Sequence, residues 1–221
     1  MAVGFVALAL LAHRKRAQVS TGVLLACATL VKFFPGVLLP AFFKRWNWKM
    51  PLAFLAAIGL AYLPYLTVGP AGALGFLPGY ASERGIVNGE QFLLLGLARQ
   101  LLNVPTFAYL ILATVVLGAV SVWLIQRQQD NEIEYLRGGL IIAAVFMFLL
   151  TPHFSWYFTL LIPFLCFIPS VSVFYLTLAS FLLYLTWLDD TPGRVLMLKA
   201  LMFFPPLVLE LILMRLNLKS L

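Results

Sequence analysis

"VKFFPGVLLP", Val31 to Pro40, places one lysine and two prolines inside an apolar run that extends from Ala17 to Phe43. A lysine near the bilayer centre costs about 2.5–3.5 kcal/mol on insertion scales. A proline removes a backbone donor and clashes with the preceding helical turn. The run is flanked by two basic clusters, His13-Arg14-Lys15-Arg16 before it and Lys44-Arg45-Trp46-Asn47-Trp48-Lys49 after it. Cytoplasmic flanks carry an excess of Lys and Arg, so one full crossing would put one cluster on the wrong side. A helix from about Thr21 to Val31, a break near Pro35 and a shorter return to Phe43 keeps both clusters on one face. A single proline-kinked span with a snorkelling lysine is the alternative, and the charges favour the break. Such an element is tolerated only where its freed backbone groups face protein or a water-filled cavity.

The rest of the composition agrees with a membrane setting. Of 221 residues, 63% are hydrophobic and 10% charged, with a mean hydropathy of +1.00. Soluble domains have about half their residues apolar and about a quarter charged. The apolar runs are rich in Leu, Ala and Phe and lack the alternation of a barrel. The net charge of +7 reads as topology rather than as a nucleic-acid surface, because no basic run is interleaved with exposed aromatics. Cys27 and Cys166 lie in apolar segments and read as small buried hydrophobes, not a disulfide or metal pair.

A layout follows from the two clusters. Residues 1–12 are too short for a span, reaching only about 18 Å. Their charges follow the apolar run, which excludes a signal peptide. They read as the last turns of a helix, so the chain is expected to be the C-terminal portion of a longer protein. Pro51 to Thr67 crosses outward, and residues 69–104 form an outer loop with turn signals at Gly69-Pro70, Pro78-Gly79 and Asn88-Gly89. Within it, Gln91 to Leu102 is expected to be an amphipathic helix on the membrane surface. Pro105–Ile125, Gly138–Leu150, Tyr157–Ile168, Val173–Leu188 and Val195–Met214 alternate direction thereafter. Ten basic residues then fall inside (Arg14, Lys15, Arg16, Lys44, Arg45, Lys49, Arg127, Arg137, Arg215, Lys219) and four outside (Arg84, Arg99, Arg194, Lys199), leaving Lys32 in the membrane. The predicted fold is an all-α, polytopic membrane helix bundle over residues 1–221, with a broken or re-entrant pair near residues 18–43.

Three clusters can carry chemistry. Thr151-Pro152-His153-Phe154-Ser155-Trp156-Tyr157 turns at the outer face. Trp and Tyr there fit an aromatic belt, but a belt has no use for a histidine beside a proline break, and such a histidine can donate to a phosphate or shuttle a proton. The loop around Glu83, Arg84 and Asn88 offers partners for sugar hydroxyls and a guanidinium that can fork onto a phosphate, or is an ordinary solvated loop. Asp189-Asp190 is a weak metal candidate, and no metal or cofactor is expected. Lys32 needs a partner, either an anionic ligand or Glu210 in the last span.

"GVLLACATLVKFFPGVLLP" (Gly22–Pro40) resembles the glycine, lysine and proline pattern of the GT-C membrane glycosyltransferases, most closely glycosyltransferase family 87, the polyprenyl-phosphate-dependent mannosyltransferases and their relatives. "LLTPHFSWYFTLLIPFL" (Leu149–Leu165) is similar to that group's later outer-face motif, and Asn88-Gly89 to its aromatic-Asn-Gly element. The resemblance implies transfer of a sugar, mannose, from a polyprenyl-phosphate donor to a lipid-linked or envelope glycan at the outer face of a prokaryotic plasma membrane. It implies His153 as the catalytic residue at the phosphate or reacting sugar. Arg84, Glu83, Asn88, Trp156, Tyr157 and Lys32 would serve as substrate contacts, with Lys32 bracing the broken helix or lining the lipid groove. The family places a catalytic aspartate in an early outer loop, and no loop here matches it. The general base is therefore unassigned, and the chain reads as a truncated product, the C-terminal half of a longer reading frame, or a split subunit whose N-terminal portion a partner protein supplies. A flippase for a lipid-linked sugar and a non-catalytic membrane subunit are the rival readings.

Overall fold

A left-handed residue, Arg16 (φ 58°), reverses the chain between its first two helices. The computed structural model describes residues 1–43, 46–68, 79, 86–127, 133–188 and 191–219, and every regular element among them is helical. Helices α1 (Ala2–Arg14) and α2 (Gln18–Val31) are joined by that turn, in which the Arg16 amide donates to the His13 carbonyl (2.8 Å) and the Ala17 amide to that of Ala12 (3.0 Å).

At the far end of α2 the helix stops on Lys32, which is extended (φ −152°, ψ 136°). The chain re-enters as a 3-10 turn, Phe34–Leu38, followed by α3 (Leu39–Phe42). This return folds back along α2: a Cβ built on Gly36 would lie 3.2 Å from the Thr29 side chain. It ends level with the start of α2, where the Phe42 ring meets the His13 ring at 5.3 Å. The broken pair is thus present, but the break falls at Lys32-Phe33 rather than at Pro35. Proline is tolerated in a first helical turn, where its missing N–H has no partner to lose, so Pro35 starts the return instead of causing the break.

Helix α4 (Lys49–Tyr62), prolonged by a 3-10 segment over Leu63–Val68, begins beside the start of α2. A Cβ on Gly22 would fall on the Met50 carbonyl oxygen, so two backbones touch there, as small residues allow at helix interfaces. The re-entrant segment therefore returns the chain to its starting end. Of the second basic cluster, Lys44 and Arg45 lie outside the described residues, while Trp46 to Lys49 stand at that end.

The remaining elements are α5 (Leu93–Arg99), α6 (Thr106–Arg127), α7 (Glu134–Leu150), a 3-10 segment Ser155–Leu161 leading into α8 (Ile162–Leu165), α9 (Val171–Ala179) continued as 3-10 over Ser180–Trp187, and α10 (Pro192–Lys219). Gly139 of α7 admits the Phe164 ring of α8, and Gly138 sits against Leu124 and Ala41. At the opposite end the Tyr109 hydroxyl donates to the Leu149 carbonyl. Two ends emerge: a basic end with Arg14, Arg127 and Arg137, and an aromatic end where α2, α7 and the 3-10 segments converge. Buried Leu25, Phe42, Met50, Ile142, Phe158 and Phe164 form part of the core between them. Outward, large apolar side chains are exposed, among them Leu52, Leu55, Phe107, Leu112 and Val115. In α6 and α10, 22-residue stretches with hydropathy 2.3 and 2.0 are long and apolar enough to cross a membrane.

Several expectations shift. The segments predicted as Tyr157–Ile168 and Val173–Leu188 are not uniform α-helix but mixtures of 3-10 and α. The predicted surface helix is confined to Leu93–Arg99, and Leu93 and Leu95 are fully buried, so it packs into the bundle rather than lying on it. Both thiols are free, Cys27 half-buried and Cys166 exposed, so Cys166 is not the buried hydrophobe expected.

Because Gly22 sits on a backbone oxygen, Gly22→Leu is expected to destabilise the fold by about 1–3 kcal/mol through overpacking. Gly118→Leu, at an α6 position with open space around it, should leave stability unchanged. Thermal unfolding midpoints in detergent would separate the two, and equal midpoints would refute the close α2–α4 approach.

Candidate active site

The site begins with Thr151, which the sequence places in the 151–157 cluster without a role of its own. Thr151 caps α7 in the left-handed region (φ 39°, ψ 67°), which is costly for a β-branched residue. Its hydroxyl offsets that cost, donating to the Phe148 carbonyl (3.3 Å) and accepting from the Leu93 amide (3.1 Å). The second bond joins the start of α5 to the turn that carries His153. Phe154 is extended, and Ser155–Leu161 then runs as a seven-residue 3-10 segment, longer than such helices usually are.

Into this turn reaches the break in α2. Lys32 Nζ stands 4.6 Å from the centre of the Tyr157 ring and 5.9 Å from that of Trp156, within cation–π range. Phe34 packs edge-on against Tyr157 at 4.3 Å and against Phe146 at 5.2 Å. The imidazole of His153 meets the Phe154 ring edge-on at 5.0 Å, and Phe154 stacks on Trp156 at 4.2 Å with only 9° between planes. Trp156 remains 39% exposed, leaving indole surface on which a sugar can stack. Trp187 adds an edge to Phe154 at 6.4 Å. A cavity of about 120 Å³ lies behind these groups, with Phe34, Gln91, Phe92, Pro152, His153 and Tyr157 in its wall.

The structure thus brings together His153, Trp156, Tyr157 and Lys32. Lys32 is not isolated at mid-membrane, far from the outer-face cluster; the break lifts it to the aromatic end. Nor does it meet Glu210, whose carboxylate accepts from the Ser170 hydroxyl (3.5 Å) at the turn before α9. Ser170 lies beyond α8 and Lys32 beside Tyr157, so the return over 155–165 separates the two groups. Asn88 is exposed at the predicted turn, where Gly89 has φ 74°. Glu83, Arg84, Asp189 and Asp190 lie outside the described residues, as does Asp130. Among the described residues no group of three or more His, Cys, Asp or Glu side chains could hold a metal ion.

Two further charged residues shape this end. Arg99 donates to the carbonyls of Val104 (3.0 Å) and Asn88 (2.8 Å) and to the Thr106 hydroxyl (2.9 Å), tying the loop between Asn88 and α6 to α5. Lys199 of α10 is buried and donates to the Gln91 carbonyl at 2.7 Å. Sequence reasoning counted both only as outer-face charges. The signal available for Lys199 was an isolated lysine between Leu198 and Ala200 in an apolar run, the same signal that singled out Lys32.

Chemically, an imidazole lines an aromatic-walled cavity, and an ammonium stands against the Tyr157 ring that shares its wall. That combination can bind an anionic oxygen group and offer a stacking face to a ring. Thr151→Val keeps the shape but leaves the buried Leu93 amide without its acceptor. The expected loss is about 1–3 kcal/mol of stability, read from the unfolding midpoint, and an unchanged midpoint would remove Thr151 as the link between α5 and the turn.

The family model for glycosyltransferase family 87 matches residues 1–152, from α1 to the residue before His153, and so includes Lys32 and the loop from α4 to α6. No curated protein and no solved structure matches the chain. A match over more than half of the chain decides the family: the chain belongs to glycosyltransferase family 87, whose reaction class is glycosyl transfer.

Proposed function

We propose that this glycosyltransferase is a multi-pass membrane protein that moves mannose from a polyprenyl-phosphate donor to a lipid-linked or envelope glycan acceptor, with its aromatic end at the outer face. The observation that carries this reading is the meeting of Lys32 with Trp156 and Tyr157 beside His153. The apolar exterior and the lengths of α6 and α10 support the membrane setting, and Arg14, Arg127 and Arg137 at the opposite end support that orientation.

The donor is a phosphodiester with one negative charge. As the acceptor hydroxyl attacks the anomeric carbon, the bond from that carbon to the phosphate oxygen breaks, and the departing polyprenyl phosphate gains a second negative charge. Cations fixed where charge develops stabilise the transition state more than the ground state. Lys32 supplies an ammonium on a side chain placed against two aromatic rings. His153 donates a proton or a hydrogen bond to the departing phosphate. Trp156 stacks on the sugar, and Tyr157 fixes both Lys32 and Phe34. Arg84 is a further phosphate ligand, and Glu83 and Asn88 hold sugar hydroxyls. The family pattern assigns the acceptor's proton to an aspartate, and none of the three aspartates, Asp130, Asp189 and Asp190, is among the described residues. His153 is therefore assigned to the phosphate rather than to the acceptor. No cofactor is required for this displacement.

Membranes containing the full natural protein, with any partner it needs, are expected to transfer radiolabel from polyprenyl-phosphate mannose to an endogenous glycan. Movement of the intact lipid without transfer would instead establish a flippase. His153→Ala should lower kcat by about a hundredfold or more. Lys32→Met should lower kcat/KM about ten- to a hundredfold, the worth of one charged hydrogen bond of about 1.5–3 kcal/mol. Wild-type transfer by His153→Ala would overturn the site.

A further inference from the structure

Lys199 stands in the middle of an apolar sequence, LMLKALMFF, and its side chain is only 2% exposed. Burying an ammonium is expensive, and an apolar residue of similar volume would usually stabilise such a position as well or better. Intramembrane lysines accordingly mark functional positions. The group it holds is informative. Its hydrogen bond goes to the main-chain carbonyl of Gln91, and Gln91 lines the cavity shared by His153 and Tyr157. Two residues on, the Leu93 amide is held by Thr151. The segment 91–93 is therefore fixed from two sides, by α10 through Lys199 and by the His153 turn through Thr151. Gly96 of α5 lies against Leu196 of α10, so α10 also meets the helix that follows this segment.

We propose that Lys199 is a positioning residue of the active site: from α10 it holds the Gln91 carbonyl, and through it the cavity wall facing His153. The proposal rests on the glycosyl-transfer reading for what the cavity binds, a sugar phosphate on a lipid, but not for the coupling itself. Its bond to a carbonyl also directs positive charge to the back of this wall, a polarity suited to a phosphate and unsuited to a cation.

The test uses the full natural protein, first with Gln91→Cys as the only cysteine, so that alkylation by a water-soluble maleimide reports the wall. Adding Lys199→Met is expected to change the alkylation rate at least fivefold. In the otherwise wild-type protein it should lower kcat/KM for transfer at least tenfold. Lys199→Arg keeps the charge and a donor and should keep transfer within about threefold. A residue that only fills volume would show the reverse, with the larger Arg harming at least as much as Met. If Lys199→Met does not fold, the Arg variant decides by that criterion. An unchanged alkylation rate in Lys199→Met overturns the proposal, whether or not transfer falls. A changed rate in a protein that shows no transfer activity upholds the coupling and refutes the glycosyl-transfer reading instead.

Discussion

A helix that breaks inside an apolar bundle leaves backbone groups and a charge that lipid cannot satisfy. In this protein the break in α2 is made tolerable by a second break. Lys32 lies against the Tyr157 and Trp156 rings, and Phe34, two residues on, sits edge-on to the same Tyr157. Each discontinuity covers the other. The rest of the aromatic end is arranged around that contact: Thr151 turns the chain so that Tyr157 faces Phe34, and α5 is held to the same turn by one amide.

The two returns are built alike. After Lys32 comes a 3-10 segment, Phe34–Leu38, then a four-residue α-helix with Pro40 near its start; after Phe154 comes a 3-10 segment, Ser155–Leu161, then a four-residue α-helix with Pro163 near its start. A proline early in a helix has fixed φ and no N–H to bond backwards. The residues before it must therefore end their own hydrogen-bond ladder, and the tighter 3-10 pattern does so. Both returns end against neighbouring helices toward the basic end, Phe42 on His13 in the last turn of α1 and Phe164 on Gly139 in the N-terminal part of α7. The bundle thus has two helical hairpins with distorted second arms, and their apices form the site.

Much of this was legible in the sequence because it rests on charge and composition. Two basic clusters on one side of Ala17–Phe43 demanded a return, and the return is there. Pro152-His153 and the aromatics after it marked a turn by local chemistry alone. The meeting of Lys32 with Tyr157 was not legible, since it joins residues more than a hundred positions apart and depends on where the break falls. Ending the helix at Val31 was right, but with the break centred on Pro35 the sequence left Lys32 in the membrane with either an anionic ligand or Glu210 as its partner. The extended backbone at Lys32 itself puts the side chain at the apex. Thr151 was equally hidden, because a left-handed threonine has no sequence signature, and its value lies in a bond to Leu93. Lys199 carried a visible signal, a lysine in an apolar run, but its weight was absorbed into a count of charges by side.

The difference in burial between the two lysines is consistent with a division of labour. Lys32 is partly exposed beside the Tyr157 and Trp156 rings, where an ammonium can meet a phosphate oxygen at modest desolvation cost. Lys199 is enclosed and already committed to a carbonyl, so reaching a ligand would mean breaking a buried bond. A group that binds a lipid phosphate must release it each cycle, which favours the exposed position. A group that fixes the shape of the wall must not move, which favours the enclosed one. The same residue type, at two depths at one end of the bundle, therefore suits two tasks, and the rings of Trp156 and Tyr157 hold Lys32 at the segment that follows His153.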